Sequence, residues 1–418
     1  MDLFALIALL VIVSAFYSYI NARFVKLPGT IGVISVAIIG SILTIAFKNF
    51  FPDAAKYLTL LARNIDFSEI VLNIMLGFLL FAGAFTLNVK RLKKEMRPVF
   101  LLSTIGVILS CAIFGVIFYG ISILFDFDIP LVYCFLFGAL ISPTDPVAVS
   151  AIIKNSKLPD KLETIITGES LFNDGIGLVL FITLLQIART GTENIDVGEA
   201  VFMFIKSVFG GIFLGLLFGF IAFRLMKSIN DFQTIVLVSL ALVMSISVIC
   251  AYLEFSIPLA IVSAGLFAGN RSINYDNTER SHQSLEKFWE LIDEILNTLL
   301  FVMIGLQMIN LPFLDKYWLA GAIGIVAILV ARWLSIMLPL TFLRRRLKVN
   351  YRSVNILTWA GLRGGISIAL ALALPNGPYK HTILAGAYFI VIFSVIVQGL
   401  TLNKLINSAD ATKVQESD

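Results

Sequence analysis

Gly138-Ala-Leu-Ile-Ser-Pro-Thr-Asp-Pro146 lies inside an apolar run of helical length, and its two prolines, Pro143 and Pro146, bracket Thr144 and Asp145. A proline inside a helix removes an amide donor and clashes with the preceding turn, so we expect the helix to break here. Carbonyl groups freed by a break must be buried in protein or line a polar cavity, where they can bind a cation. An ordinary interhelical loop is the alternative, but it would leave two fragments each too short to cross a bilayer.

The composition around this segment is that of a membrane protein. Of the 418 residues, 59% are hydrophobic and 14% are charged, whereas about 25% are charged in a soluble domain. The apolar runs predict an all-α polytopic membrane protein with about thirteen transmembrane helices. They lie near 3–22, 29–47, 68–88, 98–123, 129–154, 161–189, 199–226, 233–252, 258–270, 285–309, 316–343, 353–373 and 381–405. The first run is expected to be a retained helix rather than a signal peptide, and residues 54–65 could lie along the interface.

The basic residues alternate between the two sides of this arrangement. One side holds 22 of the 31 Lys and Arg residues and the opposite side holds 6. Because short cytoplasmic loops carry an excess of basic residues, we expect an outside N-terminus and a cytoplasmic C-terminus in the cell (inner or plasma) membrane. Residues 1–405 are expected to form one membrane region, followed by a short cytoplasmic tail at 406–418. The small net charge of +4 then has a membrane explanation and indicates no nucleic-acid partner.

Metal and redox chemistry have little support in this sequence. The three cysteines, Cys111, Cys134 and Cys250, are scattered through apolar runs rather than paired at the spacing of a motif. Only His282 and His381 are available, so a histidine-based metal site is not expected. No cofactor is expected.

Few ionisable residues lie within the predicted spans, where a charge costs at least about 2.5 to 3.5 kcal/mol. The acids are Asp145, Glu169 and Asp174, the last two within Gly168-Glu-Ser-Leu-Phe-Asn-Asp-Gly175. Helical spacing places Ser170 one turn before Asp174 on the same face, so the two can share a ligand. Glu169 points elsewhere and is expected to form a buried ion pair with an intramembrane arginine.

The remaining charges near or within the spans fall into two groups. Lys206, Arg332 and Arg363 are the basic residues inside predicted spans, and Lys206 is close enough to a helix start to extend to the interface. Glu290, Asp293 and Glu294 lie in the first turns of the tenth span and are expected to form a solvated or cavity-facing entrance.

A second interruption occurs at Trp359-Ala-Gly-Leu-Arg-Gly-Gly-Ile366, which places three glycines and Arg363 in the middle of the twelfth span. Glycine lowers helix stability and permits close backbone approach. The fifth and twelfth spans occupy the same place in two six-helix units, about 1–190 and 233–405, which the helix at 199–226 joins. Interruptions at corresponding positions of two halves indicate a transport site near the midplane.

Four ordered segments together resemble the NhaP-type branch of the cation:proton antiporters, the group that also contains the animal sodium/hydrogen exchangers. The segments are S-P-T-D-P at 142–146, G-E-S-L-F-N-D-G at 168–175, Ala331-Arg-Trp-Leu, and G-L-R-G-G at 361–365. They cover nearly the whole membrane region. The resemblance implies a thirteen-helix inverted-repeat fold in which a dimerisation domain and a mobile core domain are interleaved, and it implies a homodimer in the lipid membrane.

The resemblance also implies ligands for a transported ion. Asp174 resembles the carboxylate that binds the cation and the proton. Ser170 and the backbone oxygen of Thr144 resemble auxiliary Na+ ligands, and Asp145 lies beside the break. Asn173 holds the place of the asparagine that precedes the binding aspartate in this family.

The same resemblance implies structural roles for three charged residues. Glu169 resembles the acidic half of a buried ion pair with Arg332, and Arg363 resembles the arginine that steadies the crossed helices, although the sequence leaves open which arginine Glu169 meets. One feature departs from the family: many members carry a glutamate in the third helix that bridges to the asparagine, but residues 78–84 contain no acid. The support of Asn173 is therefore unassigned.

The implied activity is exchange of protons for a monovalent cation, Na+ before Li+ or K+, in pH homeostasis. A carboxylate in a partly desolvated site can hold a proton or a dehydrated cation, but not both. Asn173 is neutral where electrogenic relatives place a second aspartate. If Asp145 keeps one protonation state, exchange should therefore be electroneutral, one proton for one cation, with alternating access.

Other functions fit parts of the pattern. A K+/H+ antiporter would use the same residues, and a cation channel could use the same broken helices and carboxylates. A sodium-coupled solute symporter would share the inverted repeat but need a larger polar cavity. Two membrane aspartates could activate water in an intramembrane hydrolase, but no further signature supports an enzyme.

Overall fold

The computed structural model describes residues 3–47, 50, 52–64, 66–125, 128–146, 149, 156, 158–190, 197–271, 279–310, 318–347 and 351–415. Within these ranges the regular elements are all helices. They are α1 Leu3–Ile20, α2 Gly29–Phe47, α3 Pro52–Asn64, α4 Phe67–Thr86, α5 Val89–Lys94, α6 Met96–Leu124, α7 Leu131–Ile141, α8 Asp160–Thr190, α9 Val197–Lys227, α10 Phe232–Leu253, α11 Ile257–Arg271, α12 Glu279–Gln307, α13 Trp318–Leu347, α14 Tyr351–Trp359, α15 Gly365–Ala373, α16 Lys380–Ile392 and α17 Gly399–Gln415.

Four π-helical turns and one 3-10 turn modify these helices. The π turn Asn21–Val25 extends α1, Ile70–Met75 lies within α4, Leu102–Gly106 lies within α6, and Phe393–Gln398 joins α16 to α17. The 3-10 turn Met308–Asn310 follows α12.

The predicted membrane fold is confirmed. In the described part of the chain, nine helical segments are long and apolar enough to cross a bilayer, and the shorter Leu131–Ile141 and Ile257–Gly269 are also apolar. Each predicted span coincides with a helix, and the twelfth coincides with the pair α14 and α15. Of the second half of the fifth span, 147–154, only Val149 belongs to the described residues.

Two further expectations concern the edges of the membrane region. The segment at 54–65 forms α3, whose 13 residues are too few to span a bilayer and whose Leu61 is buried while Tyr57 is exposed. The predicted boundary at residue 405 falls inside α17, so the segment 406–415 continues that helix. Residues 416–418 lie outside the described residues.

The helices pack in two groups. One group contains α6, α7, α8, α13, α15 and α16, and the other contains α2, α4, α9, α10, α11 and α12. Small residues allow close approach in the second group: Gly215 of α9 lies against the backbone of Ala260, and Gly269 of α11 lies against the backbone of Phe85. Such small-residue contacts are the usual way in which membrane helices pack.

The two predicted breaks are present and touch each other. α7 ends at Ile141, and residues 142–145 are not helical; α14 ends at Trp359, and α15 begins at Gly365. The backbone N–H of Asp145 donates to the carbonyl oxygen of Leu362 at 2.7 Å. The two interruptions thus satisfy part of each other's backbone inside the protein, as a bilayer requires.

Candidate functional site

A cavity of about 720 Å³ lies between the two helix groups and reaches the contact of the two breaks. Its deep wall contains the first break at 143–146, Asp174 of α8, and 364–367 at the start of α15. Its opposite wall contains residues of α1, α2, α4 and α12. The break in each half of the chain therefore borders one polar space.

Asp174 and Asp145 both line this cavity. Only 3% of Asp174 is exposed, and Asp145 is half-buried. Two carboxylates that share one poorly solvated space repel each other when both are ionised. A proton or a cation bound between them relieves this repulsion, so the cavity is suited to a single positive charge.

Thr144 is held by two residues of α8. The Asn173 Oδ1 accepts the Thr144 N–H at 3.2 Å, and the Asn173 Nδ2 donates to the Thr144 Oγ1 at 2.7 Å. The Ser170 Oγ lies 2.7 Å from the same Thr144 hydroxyl. In this structure Thr144 provides polar contacts for Asn173, whose support the sequence left unassigned.

The same contacts change the relation between Ser170 and Asp174. Helical spacing places them on one face, but the cavity is lined by Thr144, Asp145 and Asp174, and its described lining does not include Ser170 or Asn173. Both of these residues are buried against Thr144. In this structure Ser170 therefore contacts the first break through the Thr144 hydroxyl.

Glu169 forms its ion pair with Arg332 of α13. The Arg332 guanidinium donates to the Glu169 Oε1 at 2.5 Å, and the side chains are 4% and 1% exposed. A pair this deeply buried neutralises both charges within the protein, which is the condition for keeping them in a membrane. It joins α8 to α13.

Arg363 makes a different contact. Its guanidinium donates to the carbonyl oxygens of Ser142 and Pro143, the latter at 2.9 Å. These carbonyls belong to the first break, whose helix has ended at Ile141. Arg363 thus carries a positive charge from the second break to the carbonyl end of α7, where it complements the helix dipole.

The entrance of the cavity is acidic. The expected cavity-facing residues Glu290, Asp293 and Glu294 of α12 do line it, together with Glu286 and Glu163. Glu290 and Glu294 are exposed, whereas Asn297 is buried, so this face of α12 runs from solvent towards the breaks. Carboxylates along such an entrance attract cations.

Two groups of residues stand apart from the cavity. Lys206 is 45% exposed at its side chain and lies 3.9 Å from Glu254, in keeping with an interfacial lysine. All three cysteines are buried free thiols. Within the described residues, no group of three His, Cys, Asp or Glu side chains is placed to hold a metal ion.

Sequence reasoning missed two buried polar residues behind the second break, Ser394 and Gln398. The Ser394 Oγ accepts the Arg363 N–H at 2.9 Å, and the Gln398 Nε2 donates to the Trp359 carbonyl at 3.3 Å. The sequence does contain a sign of them, because Ser394 is the polar residue within the otherwise apolar run 389–397 and Gln398 directly follows that run.

Gly364 is needed where the two breaks meet. A Cβ at Gly364 would lie 2.6 Å from the Asp145 Cβ and Cγ, so Gly364→Ala should lower the free energy of unfolding by about 1 to 3 kcal/mol through overpacking. Gly120→Ala is the control, because a Cβ there meets nothing within 4 Å and alanine favours the helix by up to about 1 kcal/mol. Thermal unfolding in detergent should move the two variants in opposite directions. Equal stability would remove the steric role of Gly364.

Comparison with known proteins places this arrangement in a family. Residues 10–407 match the family model described as sodium/hydrogen exchanger, transmembrane. The chain is 39% identical over 409 residues to the Na(+)/H(+) antiporter NhaP of Pseudomonas aeruginosa, with 96% of each chain covered. It is 31% identical to the Na(+)/H(+) antiporter NhaH of Halobacillus aidingensis, with 97% of each covered.

A solved structure shares the fold. The sodium proton antiporter MjNhaP1 of Methanocaldococcus jannaschii superposes with a TM-score of 0.78 at 20% identity, covering 97% of this chain and 99% of the other. These relatives are transporters rather than enzymes, and the apolar helices make this chain an integral membrane protein. With a family model matched along nearly its whole length, the chain belongs to the transmembrane sodium/hydrogen exchanger family.

Proposed function

We propose that this protein is a secondary active antiporter that exchanges Na+ for H+ across the cell membrane. The observation that carries the proposal is the position of Asp174, buried at the end of an acidic cavity where two broken helices meet. The names of the relatives support Na+ and H+ as the exchanged ions.

In this proposal the two ions compete for Asp174. A dehydrated Na+ needs several oxygen ligands, and the Asp174 carboxylate, the Asp145 carboxylate and the backbone oxygen of Thr144 are the candidates along the deep wall. Asn173 and Ser170 hold Thr144 in place. A proton on Asp174 removes the negative charge that holds the cation, so one site carries the two ions alternately.

The exchange is proposed to be electroneutral. Glu169 and Arg332 neutralise each other, Asn173 carries no charge, and Asp145, which lies against Gly364 at the N-terminus of α15, is proposed to keep one protonation state throughout the cycle. One charge on Asp174 is then exchanged in each direction.

Alternating access is proposed to move one helix group against the other. Hydrogen bonds and the ion pair join α7, α8, α13 and α15 through the breaks, which favours their movement as one body. The exposed lining residues include Arg91 of α5, which belongs to the basic segment 90–97 that the charge pattern assigns to the cytoplasm. We therefore interpret this conformation as inward-facing, in a protein that assembles as a homodimer with its C-terminus in the cytoplasm.

Proton flux in liposomes tests the function. Purified protein is reconstituted with a pH-sensitive dye inside, and gradients of Na+, Li+ and K+ are imposed in turn. An outward Na+ gradient should acidify the lumen, because Na+ leaves as H+ enters. Reversing the Na+ gradient should reverse the sign of the pH change. A channel would dissipate a cation gradient without obligatory proton movement in return. Absence of cation-driven proton flux in protein that is correctly folded would reject the antiporter.

Voltage tests the stoichiometry. Because one positive charge moves each way, the initial exchange rate should stay within about twofold when a K+ diffusion potential of about 100 mV is imposed with valinomycin, although that potential is worth about 2.3 kcal/mol per net charge moved. Measurements at both polarities, with empty liposomes as the control, separate exchange from leak. A rate that rises at one polarity and falls at the other would reject one-for-one exchange.

A further inference from the structure

The second break leaves backbone groups that a bilayer cannot solvate. Between Trp359 and Gly364 the helical hydrogen bonds stop, and only some are replaced locally, such as the Leu362 N–H donating to the Ala360 carbonyl at 2.8 Å. The Leu362 carbonyl is satisfied by Asp145 of the first break. The Trp359 carbonyl and the Arg363 N–H need partners from another helix.

Ser394 and Gln398 provide these partners as a closed bridge. The Arg363 N–H donates to the Ser394 Oγ at 2.9 Å, the Ser394 hydroxyl donates to the Gln398 Oε1 at 2.6 Å, and the Gln398 Nε2 donates to the Trp359 carbonyl at 3.3 Å. Ser394 is 1% and Gln398 is 3% exposed. The bridge therefore holds both ends of the interruption, at Trp359 and at Arg363, through residues that are outside the described cavity lining.

The local helix geometry aligns the two side chains. Both lie in the π turn Phe393–Gln398, and residues four apart share a face of a helix. Single π turns inside α-helices occur often at functional positions. The Trp359 Nε1 also donates to the Thr401 Oγ1 at 2.9 Å, so both the π turn and the following α17 contact this break.

The bridge is connected to the candidate ion site through one residue. Arg363, whose N–H the bridge holds, donates from its guanidinium to the Ser142 and Pro143 carbonyls. Thr144 and Asp145 follow directly and line the cavity. A change in the backbone at Arg363 would therefore move the ligands in front of Asp174.

We propose that Ser394 and Gln398 are positioning residues that set the cation affinity of the site by fixing the backbone of the second break. This inference rests on the proposed antiport. Neither side chain is among the described residues that line the cavity. Their loss should change how tightly Na+ is held more than how fast the loaded protein turns over.

The test compares Gln398→Leu and Ser394→Ala with Ser394→Thr, which keeps the hydroxyl, in full-length protein reconstituted in liposomes. The first two variants should raise the apparent KM for Na+ about tenfold and lower kcat less, since a buried hydrogen bond is lost without removing an ion ligand. Ser394→Thr should return KM to within about threefold of the wild type. Unchanged KM in Gln398→Leu and Ser394→Ala would overturn the proposal.

Two matched controls separate positioning from general packing. The Gln307 Nε2 donates to the Ala62 carbonyl at 2.8 Å, and the Ser41 Oγ donates to the Gly305 carbonyl at 2.7 Å. Gln307→Leu and Ser41→Ala thus remove similar bonds between helices away from the breaks. They should lower the unfolding temperature but keep KM within about twofold. A KM change as large as that of the bridge variants would show a general effect and overturn the proposal.

A second measurement keeps this result separate from the proposed function. If the wild type shows no exchange, the antiport proposal fails, and the Na+-dependent rise in unfolding temperature of the purified protein decides the positioning role. The rise should be smaller in Gln398→Leu than in Gln307→Leu, and an equal rise would overturn the inference. If Gln398→Leu is not monodisperse, Ser394→Ala is judged against Ser41→Ala by the same criteria.

Discussion

Replacing Asp174 by asparagine should abolish Na+-driven proton flux in liposomes while leaving the protein folded. The side chain keeps its size and can still make hydrogen bonds, but it no longer binds a proton or neutralises a cation in a site that is only 3% exposed. We expect a loss of at least about 100-fold, because a charged ligand in a poorly solvated site contributes several kcal/mol. Size-exclusion profiles and unfolding temperatures establish that the variant is folded.

Two further variants serve as a matched control and as a test of the second carboxylate in the cavity. Glu254→Gln makes the same carboxylate-to-amide change at a side chain that is 85% exposed and should exchange at the wild-type rate. Asp145→Asn should weaken Na+ binding but retain exchange, because Asp174 remains. Flux in Asp174→Asn above that of empty liposomes would move the exchanging carboxylate to Asp145.

Breaking the Glu169–Arg332 pair should give the largest loss of stability. Arg332→Met keeps most of the side-chain length but leaves Glu169 without its partner in a site where the two side chains are 4% and 1% exposed. Removing one member of a buried pair costs about 3 to 5 kcal/mol, because the other charge stays buried. Thermal unfolding in detergent should show a large fall in the unfolding temperature.

A double variant and an exposed pair test the cause. Adding Glu169→Gln to Arg332→Met removes the orphaned charge and should restore at least half of the lost stability. Arg91→Ala disrupts the pair with Asp160, 3.1 Å apart with side chains 52% and 71% exposed, and should cost at most about 1 kcal/mol. A double variant no more stable than the single one would assign the loss to packing.

Much of the fold followed from sequence because the bilayer imposes strict requirements. Apolar length predicts a span, since backbone groups must be paired inside hydrocarbon. The prolines at 143 and 146 and the glycines at 361, 364 and 365 predict where two spans break, because these residues weaken a helix wherever they occur. Such effects act within a few residues of the chain, and they do not depend on which helices become neighbours.

The candidate site was less fully specified. Helical spacing correctly placed Ser170 and Asp174 one turn apart on α8, but it did not show that Ser170 is buried against Thr144 and outside the cavity lining. Ser394 and Gln398 were visible as polar residues in an apolar run, yet their purpose depends on the carbonyl and N–H groups that face them across helices. Helical periodicity predicts the face of the helix on which a side chain lies, but it does not predict which residue of another helix that side chain contacts.

The sequence by itself determined a membrane protein with two broken helices and a few buried charges, among them Asp174. Only the tertiary structure decided that Glu169 meets Arg332 rather than Arg363, that Asn173 is supported by Thr144, and that the two breaks contact through Asp145 and Leu362. The physical reason is the separation along the chain of the residues that interact. Helix length and helix breaks arise from bonds along the chain, whereas these pairings join residues about 30 to 220 positions apart and exist only once the helices have packed.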